Sequence, residues 1–340
     1  MYFNLLLNLS EISINLTRRK FIHCNMKDIH ISNKANRRQF LKAGSALAAS
    51  ATLLPFGTTR LFGASKSGNR EVSIPTVALN NGIKMPILGF GTNTLVNDIG
   101  INAVADAISL GFRLIDTATV YGNEQFVGQG IKKSGIDRKE LFITSKLWVD
   151  DSGFESTKKA FQTSLDKLQT DYLDLYLIHR PRGDVKGTWL AMEALYKEGR
   201  IRAIGLSNFE PHQIKELMTY AKVNPIVNQI ETHVFFQEIE AYNTLPGMNI
   251  QHEAWSPLAE GRNGIFTNKT LASIGKKYGK NNAQVSLRWH FQRGIVAIPR
   301  SKNKAHMMEN LNIFDFELSD EDLQTISTLD LNKTQFPEWS

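Results

Sequence analysis

From residue 87 onward the chain alternates short, largely apolar runs with segments patterned as helices, and it does so eight times. The runs are 87–90, 113–115, 141–144, 173–178, 203–206, 226–230, 250–254 and 295–298. Apolarity without alternation is what strands need when both their faces are covered, as in a parallel sheet. Between them, 100–110, 156–168, 189–198, 211–221 and 282–292 read as helices, and the stretch from Glu155 to Leu168 has 3.6-residue apolar spacing. Strand–helix alternation implies a parallel sheet. Eight such units in about 250 residues fit a closed (β/α)8 TIM barrel better than an open doubly wound sheet. The open sheet also demands GxGxxG at its first helix, whereas Gly89-Phe90-Gly91 continues Thr92-Asn93-Thr94. Ahead of the first run, Asn80-Asn81-Gly82 between Thr76-Val77-Ala78-Leu79 and Ile83-Lys84-Met85 predicts a β-hairpin, with Asn-Gly supplying positive φ angles. The expected fold is therefore an α/β class (β/α)8 barrel with an N-terminal hairpin, one domain over residues 65–340.

Charge separates residues 1–64 from that domain. They hold nine of the 40 Lys/Arg and two of the 33 Asp/Glu, which leaves 31 of each in the body. The basic balance belongs to this leader, so the body gives no footprint for nucleic acid. In the leader, Arg37-Arg38 directly precedes an apolar, small-residue stretch from Ala43 to Pro55. A charged segment before a modest apolar one is an export signal, and the arginine pair points to the twin-arginine route and a periplasmic or exported protein. The stretch is too short and too rich in Gly, Ser and Ala for a membrane span; a tethered helix, with the protein cytoplasmic, is the alternative. Met26-Lys27-Asp28 would open a compact n-region and is a more usual start than Met1. The single cysteine, Cys24, also lies here, so thiol catalysis and disulfides have no place in the body. The eight histidines form no HxH or HxxxH pair, and no metal site is expected.

In a (β/α)8 barrel the chemistry gathers at the C-terminal mouth of the strands. The runs end in Asp116, Lys146, His179, Ser207-Asn208 and Asn228-Gln229. One polar tip marks only an exit to solvent, but five successive tips, three of them ionisable, predict an acid, an amine and an imidazole around one mouth.

These residues carry a resemblance. Phe112-Arg113-Leu114-Ile115-Asp116-Thr117-Ala118 with Tyr121-Gly122-Asn123-Glu124 is similar to the aldo-keto reductase signature, as are Ile143-Thr144-Ser145-Lys146-Leu147-Trp148, Leu177-Ile178-His179, Ile204-Gly205-Leu206-Ser207-Asn208-Phe209 and Trp255-Ser256-Pro257-Leu258. The match runs from about Thr76 to Asp330 and most resembles the bacterial 2,5-diketo-gluconate reductase-like group. It implies reduction of aldehydes or ketones with Tyr121 as general acid. A free tyrosine has a pKa of about 10, too high for easy transfer near neutrality. Lys146 is expected to lower it, Asp116 to hold the lysine charged, and His179 to orient the carbonyl oxygen.

For the cofactor, the resemblance implies NADPH, with NADH as the alternative. It assigns Ser207, Asn208 and Gln229 to the nicotinamide carboxamide, Trp255 to the ring, and Ser256 and Leu258 to the pyrophosphate. Arg300, Ser301 and Asn303, with Lys302 and Lys304 nearby, are expected at the 2′-phosphate, and Glu309 and Asn310 at the adenine. Relatives often carry arginine where this chain has His306, which should weaken discrimination against NADH. Trp148 is expected to wall the substrate pocket. Arg180, where relatives commonly have tryptophan, could pair with an anionic group on the substrate or turn outward. The expected partner is a small carbonyl compound bound by a monomer. The rival reading is a nicotinamide-binding sensor or accessory subunit with slow turnover.

Overall fold

The computed structural model describes residues 73–339, so the leader and its processing lie outside the described residues. The hairpin is made by β1 (Thr76–Ala78) and β2 (Lys84–Pro86), with Val77 opposite Met85. Its left-handed residue is Gly82 alone, at φ 84°, not the expected Asn81-Gly82 pair. Asn81 instead turns its side chain to bond the Ile83 N–H and the Arg202 carbonyl, and Asn80 reaches the Pro225 and Asn249 carbonyls. Those carbonyls belong to the loops that enter later strands. Leu79 and Met85 join the apolar filling of the barrel interior. The hairpin is thus a plug tied across the N-terminal end of the barrel.

Eight parallel strands follow: β3 (Phe90–Gly91), β4 (Leu114–Asp116), β5 (Phe142–Leu147), β6 (Leu175–Ile178), β7 (Ile204–Ser207), β8 (Val227–Glu231), β9 (Gln251–Trp255) and β10 (Val296–Ala297). Each predicted apolar run contains or adjoins one of them, and they pair in sequence order. The sheet closes because Gly89 N–H donates to the Ala297 carbonyl, Ala297 N–H to Ile87, and Gly91 N–H to Pro299. The outer ring is built from α1 (Asn97–Leu110), α2 (Glu124–Ser134), α3 (Phe154–Leu168), α4 (Val185–Lys197), α5 (Pro211–Met218), α6 (Ile239–Thr244), α7 (Lys269–Tyr278), α8 (Asn282–Gln292) and α9 (Lys304–Leu311), before a final α10 (Asp320–Ser327). α3 starts one residue before the predicted amphipathic stretch, and its Ala160, Phe161, Leu165 and Leu168 are buried. α8 begins at a capping box, Asn281 and Gln284 bonding each other's backbone N–H.

Two apolar layers result. Leu114, Phe142, Leu175, Leu177, Ala203, Val227 and Val296 fill the barrel, and a larger layer including Phe112, Phe161, Tyr176, Trp189 and Leu206 lies between sheet and helices. With the lower barrel packed solid, the strand ends at the upper mouth are left to form the site. Among the described residues, no helix is long and apolar enough to cross a membrane.

Candidate active site

The mouth holds a buried chain of charges. Asp116 ends β4, Lys146 lies within β5, and Tyr121 follows on a 3-10 turn at Thr119–Tyr121. Lys146 Nζ lies 2.6 Å from Asp116 Oδ1, 3.0 Å from the Thr117 carbonyl and 3.4 Å from Tyr121 Oη. The last separation is long for a hydrogen bond, so the cation acts on the phenol mainly through its charge. Gln229 Nε2 donates to the other oxygen of Asp116 at 2.9 Å, satisfying the carboxylate on both sides. The predicted acid, amine and phenol are brought together, and His179 joins them one residue beyond β6. Its ring is edge-on to Tyr121 at 5.8 Å and to Trp148 at 5.2 Å, and its Nδ1 has no protein partner.

The electrostatics follow from burial. Burial works against the Lys146 ammonium, but the Asp116 carboxylate and the phenol outweigh it and hold its pKa above the usual lysine value. Burial, with the Lys146 and Arg180 cations beside it, drives His179 well below the ordinary imidazole value, so it is neutral. The phenol departs from expectation. Burial pushes Tyr121 up, and Lys146 opposes that rise without reversing it. The lysine does stabilise phenolate, yet desolvation wins while the site is closed around a neutral ring.

Beside this chain runs a cleft of ≈ 450 Å³. Tyr121, His179 and Arg180 stand at one part of its wall, Trp255, Pro257 and Leu258 at another, and Arg300, Lys302 and His306 farther round. Of the predicted cofactor residues, Asn208, Gln229, Trp255, Ser256, Leu258, Arg300, Ser301 and Asn303 line it. Ser207 is fully buried at the end of β7 and reaches the site through Asn208, whose Nδ2 donates to Ser207 Oγ and to the His179 carbonyl. Asn208 Oδ1 accepts from Trp255 Nε1 at 2.8 Å. Most of the Asn208 amide therefore braces the indole against the imidazole strand, a role its motif did not reveal; Oδ1 keeps capacity for one more donor. Gln229 is likewise committed to Asp116, and it sits inside β8 rather than at its exit. Lys304 points away, paired with Asp106 on α1. Glu309 is exposed and accepts from Asn281, and Asn310 is buried at the end of α9; neither lines the cleft.

The residues present suit a long molecule with a flat ring at one end and phosphates at the other. The indole offers an apolar face, Asn208 Oδ1 an acceptor, and Arg300 and Lys302 cations. The floor is cut close at Gly91, where a Cβ would lie 2.7 Å from the Ile298 carbonyl oxygen, so only glycine lets the two strands meet there.

Three features were not found from sequence. Glu253 on β9 is completely buried inside the barrel. Its only sequence signal is the polar stretch Gln251-His252-Glu253 inside a strand whose neighbours are apolar. Glu260 and Phe266, from the irregular segment Ala259–Thr267, also line the cleft. The C-terminal tail returns to the mouth, where Phe336 packs on Trp255 at 5.2 Å and under the Arg262 guanidinium at 4.0 Å. Glu231 fastens that tail by accepting from Thr334 Oγ1 and Gln335 N–H.

Comparison with known proteins identifies the family. The chain is 48% identical over 264 residues to glyoxal reductase of Bacillus subtilis (strain 168), spanning 77% of this chain and 95% of that protein. The crystal structure of an aldo/keto reductase from Brucella melitensis superposes with TM-score 0.73 at 46% identity, covering 76% of this chain and all of that one. A Bombyx mori aldo-keto reductase in complex with NADP superposes with TM-score 0.74 at 34% identity, covering 78% and 96%. The family model described as "Aldo/keto reductase family" matches residues 87–331, and this chain is a member of that family.

Proposed function

We propose that the protein is an NADPH-dependent reductase of small aldehydes and ketones, with Tyr121 as its general acid. The observation that carries this is Lys146 Nζ set between Asp116 Oδ1 at 2.6 Å and Tyr121 Oη at 3.4 Å, with a neutral His179 ring across from the phenol. When bound, the reduced nicotinamide supplies the hydride for the carbonyl carbon. Trp255 would carry its ring, Asn208 Oδ1, braced from behind by Ser207, would accept from its carboxamide beside Gln229, Ser256 and Leu258 would meet the pyrophosphate, and Arg300, Ser301 and Asn303 the 2′-phosphate. Tyr121 retains its proton through the neutral range and gives it to the carbonyl oxygen as negative charge develops there. Lys146 then stabilises the phenolate left behind, at a point where that charge is worth most. His179, being neutral, can donate one N–H to the same oxygen without competing as an acid.

The glyoxal reductase relative supports a short dicarbonyl substrate. The NADP complex of the silkworm relative supports the cofactor. Substitution Tyr121→Phe tests the reading. Multiple-turnover reduction of glyoxal with NADPH should fall at least a hundredfold while NADPH binding, read by fluorescence, is kept. Undiminished turnover would refute it, and a wild type limited to one turnover per bound cofactor would favour a sensor. For the leader, Arg37-Arg38 supports export of the folded protein with cofactor already held. N-terminal sequencing of protein from the outer compartment checks this; an intact Met1 or Met26 there refutes processing.

A further inference from the structure

The reaction described above makes no use of Glu253, yet no acid of the described body is more deeply enclosed. It is completely buried, and neither carboxyl oxygen makes a well-formed hydrogen bond, the neighbouring Gln229 amide being the one group that leans on its charged form. On β9 it is in register with Gln229 on one side and Val296 on the other. Register partners in a parallel pair face the same way, and Gln229 faces inward, its amide bonded to Asp116. Glu253 therefore lies in the barrel interior just below the Asp116–Lys146 pair.

The groups that face it from the surrounding strands are few. Asp116 on β4 repels its charge and Lys146 on β5 attracts it, with Tyr121 beyond the lysine. Val296 on β10 is apolar, as are Leu177 and Ala203 on the far side of the interior filling. Glu231, one step up β8, is committed to His233, Thr334 and Gln335. On β9 itself, His252 bonds Thr232 in the outer layer. An ionised Glu253 would thus be a second negative charge beside Asp116, with Lys146 the cation that the two would share.

We propose that Glu253 is a positioning residue that works as a buried carboxylic acid: while protonated it leaves Lys146 to serve Asp116 and Tyr121 alone, and on losing its proton it weakens Tyr121 as a proton donor. The proposal rests on the reductase reading for its kinetic part only. Burial, and secondarily Asp116, pushes its pKa up to about 8. A negative charge arriving below the ammonium competes with the phenolate for it, so the phenol holds its proton more tightly. Carbonyl reduction should then decline in mild alkali, well before Tyr121, whose own pKa is raised, begins to titrate.

The test compares wild type with Glu253→Gln, which keeps the shape and cannot ionise. Two readings are taken: kcat/KM for glyoxal at pH 7 and pH 9, and thermal unfolding of cofactor-free protein from pH 5 to pH 9. A group of pKa about 8 goes from roughly nine-tenths to one-tenth protonated over the kinetic interval, so wild type should lose about tenfold and E253Q much less. For unfolding, the folded pKa lies above the unfolded value of 4.5. Wild-type stability is then full below the unfolded value and is lost as pH rises toward the folded one. The Tm advantage of E253Q should widen from pH 5 to about 8 and then level. Parallel kinetic profiles, or a Tm difference independent of pH, overturn the proposal. A widening Tm gap with no detectable reduction by wild type would instead sink the reductase reading and leave the buried acid standing. Should E253Q fail to fold, infrared difference spectra of E124Q/E238Q protein labelled with 13C-glutamate replace it, Glu124 and Glu238 being the other glutamates whose pKa is raised, Glu238 to about 7. A labelled protonated-carboxyl band lost near pH 8 supports the proposal; no such band refutes it.

Discussion

Replacing Lys146 by methionine separates what the lysine does for the fold from what it does for the reaction. Methionine fills nearly the same space but leaves Asp116, whose side chain is 2% exposed, facing the barrel without its cation. Breaking a buried pair from one side costs about 3–5 kcal/mol, because the remaining charge is uncompensated. For a body of this size that corresponds to a fall in Tm of roughly 6–10 °C. The loss has a pH signature. Burial already holds Asp116 above its usual 3.8, and Lys146 restrains that rise. Without the lysine its pKa climbs further, so the variant's stability is present in acid and is lost as pH rises from the unfolded value through the higher folded one. The Tm deficit should be small near pH 5 and grow toward pH 8. Adding Asp116→Asn removes the orphaned charge while Gln229 still has an oxygen to bond. The double variant should recover most of the lost Tm but none of the activity, which should stay at least a hundredfold down for want of a cation beside the phenol. Circular dichroism melts and an NADPH-oxidation assay on the three proteins read both quantities. A double variant no more stable than K146M, or a deficit independent of pH, would refute this account of the pair.

Gly91→Ala should cost at least about 2 kcal/mol, since the new methyl meets a backbone carbonyl that cannot move without opening the β3–β10 seam; denaturant midpoints check it, and an unchanged midpoint would show the seam is pliant. Arg180→Ala should selectively slow reduction of anionic aldehydes if the half-buried guanidinium serves substrate carboxylates, with rates for neutral aldehydes preserved; equal loss for both classes dismisses that role. His306→Arg should lower KM for NADPH severalfold and leave KM for NADH alone, because an added cation in the cleft favours the ligand with the extra phosphate; equal changes in both would move the 2′-phosphate elsewhere. Wild-type kcat/KM should show no limb at the ordinary imidazole value of 6.5, as His179 is held neutral by burial and neighbouring cations.

Much of the frame follows from local pattern. Short, largely apolar runs mark the eight barrel strands because a parallel strand has little solvent face to encode, even where 226–230 and 250–254 carry Asn228-Gln229 and Gln251-His252-Glu253, and the polar residues closing five of them mark the mouth. Thus Asp116, Lys146 and His179 are legible as a group in the sequence, and Tyr121 comes with the motif that follows Asp116. What tertiary structure alone decided are the contacts that cross the barrel. Gln229 reaches Asp116 over 113 residues of sequence, Asn208 is turned to hold Trp255 with only its Oδ1 left to meet a ligand, and Phe336 returns from the tail to pack on the same indole. No periodicity encodes these, since each depends on which strands the closure makes neighbours. The net rise of the Tyr121 pKa belongs here too: the sequence supplies the cation that lowers it, but the degree of desolvation that outweighs that cation exists only once the barrel has shut around the ring.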